Sequence, residues 1–555
     1  MKHFLLLISV LASFSANAQW STDPAVNIAI SDTAFKALTP AALSDGKGGA
    51  FIFWSGPNGI IGQKFNANGS IQWDKKGLMV GIFGDPGVIS SPYDPKAISD
   101  DSGGAIITYR TTSAQSIHAS RIGADGTIIW DKQLSYDAGY RVNPVLTSDG
   151  AGGAIVTWDD SRNGLLNNDI YAQRVSATGE VMWNSTSNMV CGATGHQTNP
   201  GIASDGNGGA FITWPDSRKS VMRIYAQHIN SLGERLWQAD GMSICATNEP
   251  ASVPKIVATA QGEAIISWSN GSSSGTWDIY GQKVDKDTVR WAANGVPICN
   301  APLTQFNQVM VADGSGGAIV AWEDLRTSLS EQNIYAQDID RGGIRQWALD
   351  GVPICTLPLL QSKLSITSDG FGGAIMAWQD YRLGTTYYDV FAQRVGGDGS
   401  AKWGDNGIAV CLAPKDQMSI AIAGDGKGGG IFAWADYRNS SRFIIYAQGV
   451  RENGTLGGTT SAAENPVADG FSLDQNYPNP GNLSTTISYR LSHSSFVKLT
   501  VYNTFGQQVS QLVNEKQTPG NHEVVFQSER LGSGTYFYRL QAGDFVATKK
   551  MMICP

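Results

Sequence analysis

The sequence predicts an all-β protein. It consists of an eight-bladed β-propeller, with seven blades as the fallback, closed by its own N-terminal strand and followed by a small C-terminal β-sandwich. Three observations carry this. A unit of about 55 residues recurs along most of the chain, each copy with four strand-sized pieces. Fifteen of the sixteen tryptophans fall at fixed places in that unit, and Trp277 alone stands outside it. Sixty-five glycines and only 16% charged residues suit short strands joined by tight turns. At 555 residues the chain is expected to hold more than one folded unit.

At the N-terminus Lys2 and His3 precede the apolar run Phe4 to Leu11, and Ala16-Asn17-Ala18 follows. This reads as a signal peptide over 1–18, with the mature chain starting at Gln19 or Trp20 and Sec-dependent export to the periplasm. No later run reaches eighteen apolar residues, so no transmembrane segment is expected. A net charge of −8, with no Lys/Arg-rich face, argues against a nucleic-acid partner.

The sixth copy shows the unit clearly. Val309 to Ala312 is a short strand A, and Asp313-Gly-Ser-Gly-Gly317 a turn. Ala318 to Trp322 is an unbroken apolar strand B, as expected of a strand buried on both faces. After a variable loop, Ile334 to Ile339 is strand C, and Ile344 to Cys355, centred on Trp347, is strand D. Aligned on the turn aspartate, the copies fall at Asp45, Asp100, Asp149, Asp205, Thr259, Asp313, Asp369 and Asp425. The fifth is degenerate there but keeps Ile265-Ile-Ser-Trp268. Strand D carries Trp73, Trp130, Trp183, Trp237, Trp291, Trp347 and Trp403, one fewer than the copies of strand B. The missing one stands in Gln19-Trp20-Ser-Thr-Asp-Pro-Ala-Val26. The N-terminal strand is therefore expected to complete the last blade and remove two exposed sheet edges.

The turns, cysteines and tryptophans of the repeat read as structural. Each turn offers one aspartate where calcium needs six or more oxygens, and its glycines supply a hairpin. Cys191, Cys245, Cys299, Cys355 and Cys411 recur 54 to 56 residues apart, on separate sheets, and are expected to be buried and unbridged. Cys554 has no evident partner. Two tryptophans per blade are expected to fill the space between blades.

Candidate binding residues come from two patterns. Five copies end strand B in Trp-x-Asp-x-Arg, giving the pairs Asp160/Arg162, Asp216/Arg218, Asp324/Arg326, Asp380/Arg382 and Asp436/Arg438. Two-residue spacing puts both charges on one face of an extended segment. The pairs can clamp the B–C loop to its own or the next blade, or form a charged ring that receives a polar ligand. Copies one, two and five lack the pair, which makes such a ring asymmetric. The second pattern is loop variation. A–B and C–D turns are short and uniform, whereas B–C loops and D–A crossovers vary and share a face. That places Trp277, Tyr387, Tyr388 and Phe306 on the candidate face, able to stack on sugars or a peptide, or simply to pack the loops.

Chemistry is less evident. His118 and His228 lie in strand C and His196 on a loop, without metal-ligand spacing. The strands expected to line the channel, such as Val145-Leu-Thr-Ser, Gly201-Ile-Ala-Ser and Leu364-Ser-Ile-Thr, are small and neutral. Paired carboxylates for glycoside cleavage are not visible there. No catalytic residue, metal or cofactor is assigned.

From Arg451 to Gly470 the composition is that of a Gly/Ser/Thr/Ala linker. Beyond it, Phe471-Ser-Leu-Asp-Gln-Asn-Tyr-Pro-Asn-Pro480, Val497-Lys-Leu-Thr-Val-Tyr502, Gly506-Gln-Gln-Val509 and Leu531-Gly-Ser-Gly-Thr-Tyr-Phe-Tyr-Arg-Leu540 read as alternating strands of a β-sandwich. Residues 471–555 resemble the C-terminal sorting domain of type IX (Por) secretion cargo of Bacteroidota and their relatives, down to Lys549-Lys550-Met551. Gly481-Asn-Leu-Ser departs from that family's usual Phe-Asn-Pro-x-Thr. The resemblance implies recognition by the outer-membrane translocon, and often cleavage with release or attachment to the cell surface. Residues 19–450 resemble propeller repeats of secreted proteins of the same bacteria, which bring no known activity.

The expected organisation is thus signal peptide 1–18, propeller 19–450, linker 451–470 and sorting domain 471–555. The functional expectation is a monomeric secreted or surface-attached binding scaffold with a glycan or protein ligand. The alternative is a polysaccharide-degrading or sialidase-like enzyme.

Overall fold

The computed structural model describes residues 20–31, 38–82 and 95–457, apart from 57, 75, 112–114, 137–138, 165–166, 185–186, 273–274, 383, 385–386 and 439–441. It also describes residues 472–553, apart from 474, 482–483, 492–493, 504–506, 519, 529–530 and 543–544. The expected signal peptide, residues 458–470 of the expected linker, and Cys554 lie outside the described residues. The chain divides into two compact units, Met1–Thr459 and Thr460–Pro555. Among the described residues there is no helix.

In the first unit each repeat is a four-stranded antiparallel sheet. Repeat three has strand A at Arg141–Ser148, B at Ala154–Asp160, C at Asp169–Val175 and D at Asn188–Cys191, hydrogen-bonded in that order. Eight such sheets are present among the described residues, seven of them built from consecutive strands. The last contains Gln417–Gly424, Gly430–Asp436 and Ile444–Val450, and takes its outer strand from Ile28–Ala29, with Ile28 opposite Ala447.

Strand B forms because every residue from Ala154 to Asp160 can be buried, apolar on both faces until the terminal carboxylates. The turn before it is held by its aspartate. Asp149 Oδ1 accepts from the backbone N–H groups of Ala151 and Gly153, at 2.9 and 2.8 Å. A Cβ on Gly153 would lie 2.3 Å from the Val175 carbonyl oxygen, so the last glycine of the motif is sterically required. The glutamine of strand C is a buried staple. Gln173 donates to the Asn184 carbonyl at 2.7 Å and accepts from the Trp183 N–H at 3.1 Å, tying strand C to the segment before strand D.

Strand D is shorter than the sequence suggests in repeat six, whereas in repeat two it spans Ile128–Gln133 and contains Trp130. In repeat six it spans Val352–Cys355, and Trp347 precedes it. Trp347 is committed elsewhere: its indole N–H donates to the Gly397 carbonyl of repeat seven at 3.0 Å, and its ring covers Gly399. The same bond recurs from repeat to repeat. Trp73 donates to Ala124, Trp130 to Ala177, Trp183 to Ser231, Trp237 to Lys286, Trp291 to Arg341 and Trp403 to Glu452. Trp20 donates to Ala67 of repeat one at 3.1 Å.

The core is a series of apolar clusters, each shared by neighbouring sheets. One joins Ile155, Ile170 and Trp183 to Ile212, Trp214 and Tyr225. Another joins Trp20, Ile52, Trp54 and Phe65 to Ala423, Ile431 and Ala433. Each fully buried indole contributes on the order of 4–6 kcal/mol of gross burial. Cys191, Cys245, Cys299, Cys355 and Cys411 are buried and free. Arg451 to Gly457, assigned to a linker by composition, continues the last sheet instead. Arg451 and Thr455 bound a turn, Leu456 bridges to Val450, and Gly454 packs on Trp403. Its Asn-Gly pair serves the same turn as in the other repeats, which composition alone does not reveal.

The second unit pairs a three-stranded sheet (Ser472–Leu473, Ser484–Leu491, Gly520–Gln527) with a four-stranded one (Gln508–Gln517, Ser495–Asn503, Gly534–Ala542, Phe545–Ile553). Their inner faces meet in a core of Ile487, Tyr489, Leu499, Val501, Phe526, Tyr538 and Met551. The Asn-Tyr-Pro-Asn-Pro entry is pinned to it: the Asn476 N–H donates to the Tyr538 hydroxyl at 2.7 Å, and Asn479 Oδ1 accepts from the Met552 N–H at 2.7 Å. Gly481 bridges to Ile553.

Candidate functional site at the channel and the loop face

The five Asp–Arg pairs form a repeated clamp. In repeat four, Asp216 Oδ2 accepts from the Trp214 indole at 2.9 Å and from Arg218 Nη2 at 2.6 Å, while Oδ1 accepts the Arg218 N–H at 2.8 Å. The guanidinium stacks 3.9 Å from the Tyr225 ring centroid and donates to the Asp240 carbonyl. It also lies 3.1 Å from Cys191 Sγ of the preceding repeat. Asp324 and Arg326 repeat this geometry with a 2.6 Å ion pair. In repeat eight Arg438 pairs with Asp436 at 2.6 Å and donates to Asn27 Oδ1 at 2.8 Å. Asp160 pairs with both Arg162 and Arg141. Burial opposes its charge, but Arg162's hydrogen bond and the charges of Arg162 and Arg141 outweigh that and hold the carboxyl below its usual range. Burial pushes the neighbouring thiols of Cys191 and Cys299 up to about 12. All five carboxylates are buried, with their lone pairs taken by the chain's own donors.

Arg382 is engaged within the protein in the same way. Its side chain is only 11% exposed and is held by its own protein. Arg382 Nη2 donates to Asp380 Oδ2 at 2.6 Å and to the Asn406 carbonyl at 2.9 Å, and lies 3.2 Å from Cys355 Sγ. The guanidinium of Arg382 stacks 3.7 Å from the Phe391 ring centroid, where the other four clamps offer a tyrosine. Arg382 Nε is buried without a hydrogen-bond partner. The physical reason is the two-residue spacing. It delivers the arginine onto a carboxylate that burial would otherwise leave uncompensated, and the pair closes on itself.

The candidate aromatics sit in neighbouring repeats. Trp277 begins strand C of repeat five, half-buried and opposite Gly271. Phe306, half-buried, stands opposite Glu323 in repeat six. In repeat seven the Tyr387 hydroxyl accepts from Lys415 Nζ at 2.6 Å, and Tyr388 packs on Tyr381 with centroids 5.4 Å apart. No interaction among the described residues joins Trp277 or Phe306 to this tyrosine group.

A different group converges at the centre. The innermost strands of all eight sheets line a cavity of 970 Å³. In seven of the eight repeats one residue in or just before strand A lies in the left-handed region, at Thr39, Asn143, Asn199, Val253, Asn307, Lys363 or Ser419. Two residues later comes a level of the wall opposite the residue before the strand-B aromatic. Its members are Ala41, Lys96, Val145, Gly201, Lys255, Val309, Ser365 and Ala421. The strands expected to be neutral are so, but Lys96 and Lys255 bring two ammonium groups into the wall, and Arg110 adds a guanidinium. Arg110 is engaged, donating to the Arg141 carbonyl and lying over Tyr140. Lys255 is surrounded by protein although open to the channel, and this desolvation, followed by the charge of Lys96, lowers its affinity for a proton.

Just after the strand-B tryptophan stand two buried carboxylic acids at matching positions, Asp159 and Glu323. Burial raises Asp159 to about 7, and its Oδ1 has no hydrogen-bond partner. Burial likewise raises Glu323, which Asn307 and Gln332 hold at 2.8 and 2.6 Å. Sequence reading missed these acids and the channel lysines. The signal was available: each wall residue lies four positions before its turn aspartate or, in repeat five, before Thr259.

Residues 475–554 match the family model described as a secretion system C-terminal sorting domain. No curated protein matches the chain. Similar solved structures include a polysaccharide lyase of family PL25, an ulvan lyase bound to -[GlcA(1-4)Rha3S]-. It has 11% identity and a TM-score of 0.43 over 68% of this chain and 97% of that one. A Hadza microbial sialidase has 11% identity and a TM-score of 0.35 over 61% of this chain and 75% of that one. An endo-arabinase from Bacteroides thetaiotaomicron has 11% identity and a TM-score of 0.27 over 59% of this chain and 98% of that one. Residues 475–554 are thus a type IX sorting domain, which indicates export of the chain to the outer cell surface or the medium.

Proposed function

We propose that residues 19–450 form an eight-bladed propeller closed by the N-terminal segment, and that it is a binding scaffold for a glycan or protein. In this reading the signal peptide 1–18 delivers the chain to the periplasm, and the translocon then takes it outward by its C-terminal domain. The protein acts as a monomer. The observation that carries the binding role is the cavity of 970 Å³ on the axis, walled by every repeat, beside the variable loops. The clamp pairs support a rigid rim more than direct ligand contact, because their carboxylates are already fully bonded. Tyr387, Tyr388, Trp277 and Phe306 remain the aromatic candidates on that face.

The second reading, a polysaccharide-degrading enzyme, is favoured by one observation: Asp159, buried and raised to about 7, could hold a proton at neutral pH as a general acid. A glycan array, followed by incubation with the polysaccharides that bind, separates the two. Binding without released oligosaccharide, weakened by Trp277→Ala or Tyr387→Ala with Tyr388→Ala, is the expected result. Product release that Asp159→Asn abolishes would make the protein an enzyme.

A further inference from the structure

In a chain of net charge −8, the described residues lining the central cavity include three cations, Lys96, Arg110 and Lys255, and no carboxylate. Two of the three stand at one level. Lys96 is opposite Thr108 and Lys255 opposite Ser267, the same register in repeats two and five. The other six positions of that level are small or apolar, so nothing in the ring itself answers their charge. Arg110 is already bonded to the Arg141 carbonyl, whereas neither lysine ammonium has a hydrogen bond or ion pair among the described residues. The nearby acids do not serve as counter-charges. Glu323 is bonded by Asn307, Gln332 and the Lys363 N–H, and Asp159 is contacted by Asn143. The charge that acts on Lys255 is that of another cation, Lys96.

Two like charges confined in a concave wall repel each other, and low-dielectric walls concentrate their field on the axis. Nothing in the packing requires lysine there: alanine, valine, glycine and serine fill the same position in the other repeats. The arrangement makes sense when an anion completes it.

We propose that Lys96 and Lys255 together form an oxyanion site in the central channel, which takes a sulfate or carboxylate group. The proposal deepens the binding reading above: if the ligand is a glycan, it is an acidic one whose charged substituent enters the channel. Lysine suits this role because its ammonium is a compact charge on a flexible stem, able to follow an anion on the axis.

Titration calorimetry on the full chain at low ionic strength tests this with four probes: inorganic sulfate, a heparin-derived tetrasaccharide, tetragalacturonate and neutral maltotetraose. The site is supported if at least one anionic probe binds, and if Lys96→Met with Lys255→Met weakens it by about tenfold or more. Lys96→Arg with Lys255→Arg should then stay within about threefold of the native protein. Methionine preserves stem volume, and an unchanged melting temperature without ligand shows that the double variant is folded. Sulfate alone binding identifies a free anion as the source and sinks the glycan reading while keeping the site. Tetrasaccharides alone binding identify an acidic glycan. Equal affinity for maltotetraose and the acidic sugars would overturn the oxyanion site but leave glycan binding standing. Unchanged anion affinity in the methionine variant, or no anion binding at all, would also overturn it.

Discussion

Asp338 occupies a position where other repeats carry Arg, Lys or His. Arg121, Arg174, His228 and Arg394 stand in the same register and meet the turn aspartate of their own repeat at 2.9 to 3.0 Å, while Lys283 pairs with Glu263 at 2.8 Å. In repeat six the partner is Asp313, itself bonded to Ser315, so two acids face each other. Burial first, and then Asp313 and Asp340, raise Asp338 to about 7, and its Oδ1 has no partner. The folded state therefore holds a proton that the unfolded chain releases near pH 4, and stability falls as pH rises from about 4 to about 7. Asp338→Asn should stabilise the protein by roughly 2–4 kcal/mol at pH 8, with the gain vanishing below about pH 4. Urea unfolding at several pH values checks it, and a gain independent of pH would refute the titration. A second irregularity lies in repeat five, where Asn270 replaces the clamp aspartate and the Trp268 indole N–H is buried without a partner. Trp268→Phe should therefore cost about 1–2 kcal/mol less than Trp322→Phe, which leaves Asp324 short of a donor. Equal costs in the same unfolding assay would mean that the clamp bond adds nothing beyond packing.

At the scale of the element, the turn between strands A and B shows that the first and last glycines of the motif are needed for different reasons. Gly150 has φ +73° and open space around its Cβ position, so Gly150→Ala carries only a backbone cost of about 1 kcal/mol. Gly153→Ala meets the Val175 carbonyl at 2.3 Å and the Asp149 carboxylate at 2.7 Å, and should cost more than about 2 kcal/mol. Thermal unfolding of the two variants ranks them, and the opposite order would refute this account of the motif. Such elements were legible because sterics and burial narrow the choice of residue: the last glycine of the Asp-Gly-x-Gly-Gly turn meets a carbonyl, and strand B is buried along its length. Strand A and strand D were less so. The bulge in strand A is held by Thr, Asn, Val, Lys or Ser, including the β-branched Val253, so no residue type announces it. The tryptophan before strand D looked like its centre because its partner is a carbonyl about fifty residues away, outside any local pattern. The Trp-x-Asp-x-Arg spacing left both a clamp and an open charged ring possible, and Arg382 shows what spacing omits: the Asn406 carbonyl and the Phe391 ring that engage it come from other strands and loops. The channel lysines were readable in principle, but only after alignment on the turn aspartate isolates one column of the repeat. The buried acids Asp159 and Glu323 stand where other repeats carry Ser, Arg, Pro, Gln or Ala, and burial alone gives them meaning.

On the scale of the whole molecule, the proposed closure by the N-terminal segment predicts that the repeats behave as a ring and not as a line. In an open array each repeat contacts only its neighbours, and an end repeat can fray without affecting the far end. Here the first described residues hold both ends of the array. Trp20 donates to Ala67 in repeat one, Ile28 pairs with Ala447 in repeat eight, and Asn27 receives Arg438. Gln448 donates to the Ser21 carbonyl, as Gln173 does to Asn184 in repeat three. Removing residues 20–30 would expose the edge of Ile444–Val450, strand the buried end of Arg438 and uncover the cluster beneath Trp20. The expected outcome is a loss larger than that of any single repeat substitution, with unfolding no longer one transition and with aggregation through the open edge. Calorimetry distinguishes the alternatives: one transition, shifted by no more than a point mutant, would mean that the eight sheets are held as a line and that the segment is an accessory strand. Two or more transitions would mean that closure is what makes the repeats unfold together, and that the rigid channel wall bearing Lys96 and Lys255 depends on the strand that arrives first in the chain.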